Sequence, residues 1–141
     1  MALMIPDTGK IEVLKRFLYG TASAENISLR LYKSNTTPSE VDETATYTVA
    51  DFTGYSNKTL TSSQSGATWA VPTASGNLGT STYGTNQTWT AGSDQTVYGI
   101  YLVWATSLLI CASQRFGSAK ALVGADADQV TVVPKFQAGH I

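Results

Sequence analysis

Cys111 and His140 are the residues best suited to nucleophilic or general-base chemistry, and each is the only one of its type in the 141 residues. A thiol nucleophile needs a base close enough to take its proton. His140 stands one residue from the chain end, while Cys111 lies in the apolar run 108–112, where a thiol behaves as an inert core residue. A lone cysteine forms no intrachain disulfide. A lone histidine so placed suggests neither a Ser-His-Asp relay nor the usual zinc ligand sets. Asp126 and Asp128 flank a turn, but 124–128 carries no third oxygen ligand at a calcium-loop spacing and reads as a solvated turn. Asp42 and Glu43 are adjacent, so they point apart in an extended loop and make no acid–base pair. The glycines of 76–84 lack the lysine and the strand–helix context of a phosphate loop. The expectation is a protein that is not an enzyme and uses no cofactor or metal.

Trp69, Trp89 and Trp104, with seven tyrosines, raise a second kind of chemistry: a row of exposed aromatics that holds a sugar face. Aromatics in strands are more often core or subunit contact, and that reading is preferred here. Asn26, Asn35, Asn57 and Asn86 each begin an Asn-x-Ser/Thr triplet, a pattern that arises easily in a hydroxyl-rich chain. Thr and Ser supply 34 of the 141 residues, charged residues only 13%, and the net charge is −1. No basic field is present to hold nucleic acid or an anionic membrane. Hydroxyls cost less to desolvate than charges, which suits a surface that meets another protein. The N-terminal apolar stretch is too short for a leader, and no run reaches the length of a membrane span, so the chain reads as made in the cytoplasm without a membrane partner.

Short alternating segments dominate the chain. Residues 1–6 (Met1, Ala2, Leu3, Met4, Ile5, Pro6) form a candidate apolar arm. Asp7 or Thr8 offers an N-cap, and Ile11, Leu14, Phe17 and Leu18 have helical spacing, predicting one helix over about 8–19 that lies on a sheet and stops at Gly20. Ile27, Leu29 and Leu31 alternate with Ser28, Arg30 and Tyr32, the clearest strand of the chain. Further strands are predicted at 51–61 (a bulge at Gly54), 68–71, 85–91, 95–104, 107–113 and 129–136, with a brief extended piece at 121–123. Residues 73–84 read as a long loop and 116–119 as a short one. Residues 95–104 present Val97, Gly99, Tyr101 and Val103 on one face and Tyr98, Ile100, Leu102 and Trp104 on the other, so both faces must be covered. The expected fold is mainly β, a sandwich or barrel-like single domain over 1–141 with about eight short antiparallel strands and one short N-terminal helix.

The order of several short motifs resembles a family of small virion structural proteins of tailed bacteriophages. The motifs are Ile5-Pro6-Asp7, the strand Asn26 to Tyr32, Thr37-Pro38, Phe52-Thr53-Gly54-Tyr55, Lys58-Thr59-Leu60, Gln95 to Gly99, Arg115-Phe116 and the valine strand Val130 to Val133. Residues 62–94 match nothing in the pattern. The resemblance implies a capsid decoration or cement protein on the virion surface. Such a protein self-associates, as a dimer or trimer, and lays arms over the joints of the major capsid protein. Candidate contacts are Met1, Leu3, Met4, Ile5, Pro6 and, in the C-terminal tail 135–141, Phe136. A tail, neck or fibre component, or a carbohydrate-binding β module, is the alternative.

Overall fold

The computed structural model describes residues 5–14, 25–62, 69–75 and 78–139. In chain order these form helix α1 (Asp7–Leu14) and strands β1 (Ile27–Tyr32), β2 (Lys58–Leu60), β3 (Thr73–Ser75), β4 (Leu78–Thr82), β5 (Gln87–Thr90), β6 (Gln95–Trp104), β7 (Ile110–Leu122), β8 (Gln129–Val132) and β9 (Lys135–Gly139). All strand pairs are antiparallel, and the fold is the mainly β, sandwich-like single domain that the alternation predicts. Among the described residues the sheets do not close into a barrel.

One layer is a four-stranded sheet in the order β2-β1-β6-β7. Leu29 faces Leu102 and Leu31 faces Ile100 across the β1–β6 ladder, so the alternation of β1 carries over to its neighbour. The other layer is built from the pair β5-β8 and the three-stranded β3-β4-β9. The chain passes directly from β4 to β5 and from β8 to β9, so β4-β9 and β5-β8 are halves of one antiparallel ribbon, with β3 beside β4. The ribbon breaks at Pro134, which has no N–H for a ladder, and Tyr83 N–H donates to the Pro134 carbonyl at 2.8 Å.

The core lies between the layers. Leu29, Leu31, Val97, Leu102 and Ala112 of the sheet pack with Tyr83, Trp89 and Val130 of the ribbon. Each large apolar side chain closed off there contributes about 1.5–3 kcal/mol. A second, smaller cluster forms on the outer face of the sheet from Tyr32, Tyr101, Val103 and Ile110, covered by Tyr47. The second cover of β6 is therefore the chain's own segment 34–50. Helix α1 adds to it only at the start of β7, where a Cβ on Gly9 would stand 2.8 Å from the Cys111 carbonyl oxygen.

The faces of β6 differ from plain alternation. Val97 pairs with Lys120 but Gly99 pairs with Arg115, so residues 116–119 of β7 face Tyr98 alone as a bulge. The bulge exchanges two side chains: Val97 joins Ile100 and Leu102 in the main core, and Tyr98 packs on the outer cluster.

Other elements depart from expectation for equally local reasons. Of 51–61 only Lys58–Leu60 is strand, because Gly54 adopts φ +89° in a tight turn closed by Tyr55 N–H to the Phe52 carbonyl. Trp69 makes a single bridge with Tyr83 in place of the strand 68–71. Residues 73–84, read as a loop, contain β3 and β4. Residues 110–113 and 121–122 belong to one long strand β7, which also takes in 116–119, read as a loop; 107–109 are part of the turn before it. Helix α1 is described to Leu14; the predicted continuation over 15–19 lies outside the described residues. Ile11, expected to face the sheet, is 51% exposed, because α1 approaches β7 through Gly9 instead.

Candidate interaction surface

The two candidate arms are placed unequally. Pro6 is fully buried and Ile5 packs partly buried against the main core, so residues 5 and 6 are the root of α1. Asp7 N–H donates to the Glu40 carbonyl at 2.9 Å and ties that root to segment 34–50. Met1, Leu3 and Met4 lie outside the described residues. Over Lys135–Gly139 the C-terminal tail is strand β9, paired with β4. Phe136 packs on the molecule's own core, its ring 5.5 Å from that of Trp69.

The residues singled out for chemistry hold structure together. Cys111 is buried in the core; His140 lies outside the described residues. Asp128 accepts a hydrogen bond from Val123 N–H at 2.9 Å, and Asp94 accepts one from Gly124 N–H at 2.8 Å, so these carboxylates fix the turn after β7. Asp42 and Glu43 are separated by burial: Glu43 is exposed, and Asp42 is buried, accepting from Ser39 N–H at 2.8 Å and from the Tyr47 hydroxyl at 2.5 Å. The same Tyr47 hydroxyl lies 2.9 Å from Ser113 Oγ. Burial, reinforced by its bond to Asp42, pushes the Tyr47 phenol well above its ordinary value; burial chiefly, opposed by the nearby Arg115 charge and aided by that of Asp42, lifts Tyr32 to about 12. Among the described residues, no three His, Cys, Asp or Glu side chains come together as metal ligands.

The tryptophans do not form an exposed row. Trp89 is 2% exposed, donates from Nε1 to the Ser56 carbonyl at 2.7 Å, and stacks on Tyr55 with ring centres 6.4 Å apart. Trp69 sits between Tyr83 and Phe136, and Trp104 packs partly buried against the core.

What the fold leaves at the surface is an apolar end. Between β6 and β7 the chain turns over 105–109, with Leu108 56% and Leu109 37% exposed. Leu108 has φ 58°, a left-handed conformation that costs a side-chain-bearing residue about 1–2 kcal/mol. The turn is fixed from both sides: Glu25 accepts from Thr106 N–H at 2.6 Å and Ser107 N–H at 3.0 Å, and Thr44 Oγ1 donates to the Leu108 carbonyl at 2.8 Å. Leu108, Leu109, Thr44, Ala45 and Thr8 border a cleft of about 340 Å³. Thr8 Oγ1 is closed to water there and has no hydrogen-bond partner. Ile11 lies one helical turn beyond Thr8, and the root of the N-terminal arm precedes both.

No family model and no curated protein matches this chain. Sequence reading missed Leu108 and Leu109 as surface residues because they continue an apolar run. The signal lay in their position at the tip of a hairpin, where side chains protrude.

Proposed function

We propose that the chain is a virion structural protein of a tailed bacteriophage, a decoration or cement protein that self-associates and clamps subunits of the major capsid protein. The observation that carries the reading is the apolar tip of Leu108 and Leu109, exposed at a cleft shared with Thr8 beside the root of the N-terminal arm. Apolar side chains held in the open by a strained, doubly anchored turn suit a surface that is covered in an assembly. The low charge and hydroxyl-rich composition lower the desolvation cost of that covering. Many weak identical contacts on a repeating lattice add to a strong attachment.

The test is fractionation of purified virions with quantitation of this chain. Copies in the hundreds, on heads, support the reading; the chain confined to tails, or in a handful of copies, overturns it in favour of a tail or neck component. Because Ile5 and Pro6 are built into the core, the informative truncation removes Ala2, Leu3 and Met4 only. That variant folds, and its attachment to heads is weakened; unchanged attachment excludes the arm as a clamp.

A further inference from the structure

A cleft of about 690 Å³ opens along the side of the sandwich where its two layers part. Phe116, Val132 and Phe136 line its walls, above a floor of Leu29, Ile100 and Leu102. Leu29 is 0% and Leu102 2% exposed, so an occupant lies along the walls and does not penetrate the core. The two long sides of this cleft are strand edges. Among the described residues, β7 ends the four-stranded sheet on one side, and β8 and β9, each with a single strand neighbour, end the ribbon on the other. An edge strand presents backbone N–H and C=O groups without a ladder partner, a template for pairing with another chain.

Charge gives the cleft a polarity. Lys120 and Lys135 stand exposed at its rim, and no Asp or Glu lines it. The ion pairs among the described residues are Lys10 with Asp7 and Glu40, and Lys33 with Asp51; they use neither rim lysine. Arg115 also borders the cleft, but its guanidinium is committed to the other face, donating to the Thr36 carbonyl at 2.8 Å and to Asn35 Oδ1 at 2.5 Å over the ring of Tyr98. The bulge 116–119 lies beside the cleft, with Phe116 and Gly117 in its lining.

We propose that this cleft is a strand-acceptor site: it takes an extended segment of another protein chain, with apolar side chains at alternate positions and a carboxylate that meets Lys120 or Lys135. Main-chain hydrogen bonds along an edge supply affinity, and the apolar wall selects alternate side chains. A small anionic amphiphile would satisfy the wall and the lysines but leave both edges unpaired. The inference stands on the fold alone; a protein found in no capsid would still carry the cleft.

The test uses the full chain and a short capped synthetic peptide of alternating valine and threonine with aspartate at each end, followed by amide NMR. The peptide saturates below about 1 mM, and the shifts and exchange protection fall on amides of 115–120, 131–133, 135 and 136. Replacing its aspartates by lysine weakens binding roughly tenfold or more, and N-methylation of its central residues abolishes it. The variant Lys120→Glu/Lys135→Glu, whose changes are both on exposed side chains, reverses the charge preference. No saturable shift, binding indifferent to N-methylation or charge, or protection elsewhere overturns the proposal. So does saturation by decanoate without peptide binding, which makes the cleft a small-molecule site.

Discussion

The ring of Tyr32 lies across Gly99, its direct partner on the neighbouring strand. A Cβ at Gly99 would stand 2.5 Å from Tyr32 Oη and 2.6 Å from its Cε1, and would also run into the Gln114 carbonyl oxygen. The absence of a side chain at one position is what lets the outer tyrosine cluster close. Gly99→Ala is therefore expected to cost about 3 kcal/mol, the upper end for overpacking, and to lower Tm by roughly 10 °C. Tyr32→Phe does not rescue it, because the Gln114 carbonyl remains in place. Thermal unfolding of the three variants checks this; a Gly99→Ala protein as stable as the parent contradicts the packing described.

Tyr47 and Asp42 form a buried pair whose loss is asymmetric. Tyr47→Phe removes the hydroxyl that donates to Asp42 and leaves a buried carboxylate short of a donor, at a cost of about 2–3 kcal/mol. The double variant Tyr47→Phe/Asp42→Asn is less destabilised than the sum of the singles, with a coupling of about 1 kcal/mol or more. Urea unfolding of the four proteins in the cycle measures it; additivity would show that the two groups do not interact.

Alkaline pH should act on the tyrosines. Burial raises the pKa of Tyr32 and of Tyr55 to about 12 from 10.0, and that of Tyr47 further. The folded state favours the protonated phenols, so their contribution is complete below about pH 10, the unfolded value, and is lost as pH rises through 12. Stability is expected to hold from neutral pH to about 10 and then to fall. Absorbance at the tyrosinate band should show these three of the seven tyrosines ionising late, together with unfolding.

Leu108 separates stability from attachment. Its left-handed backbone suits asparagine better than leucine, and at 56% exposure little burial is lost by the change. Leu108→Asn is expected to raise Tm by a few degrees, on the order of 1 kcal/mol, while weakening attachment to heads. A variant that is more stable and attaches equally well removes the apolar end from the proposed contact.

Much of the fold is legible from local pattern. The period-2 run of β1, the apolar run of β6, the N-terminal helix and the turn after β7 follow from residues that are neighbours in the chain. The candidate site was less legible. Ile5 and Pro6 read as arm and are root; Leu108 and Leu109 read as strand and are hairpin tip. Phe136 reads as tail and lies against Trp69.

The sequence by itself determined that the molecule is a small β module, because side-chain alternation is written into β1 and an apolar run into β6, and neither needs a partner to be seen. Only the tertiary structure decided which strands exist without that alternation, and what covers them. β3, β4 and β9 are hydroxyl-, glycine- or glutamine-bearing segments held by backbone ladders, and a ladder bond leaves no mark in hydropathy. The exchange of Val97 and Tyr98 between faces depends on a bulge in β7, a strand whose register is fixed across the sheet and not along the chain. The second cover of β6, segment 34–50 with Tyr47, is likewise a contact between residues distant in sequence, fixed by the packing of Tyr47 on the rings of Tyr32 and Tyr101.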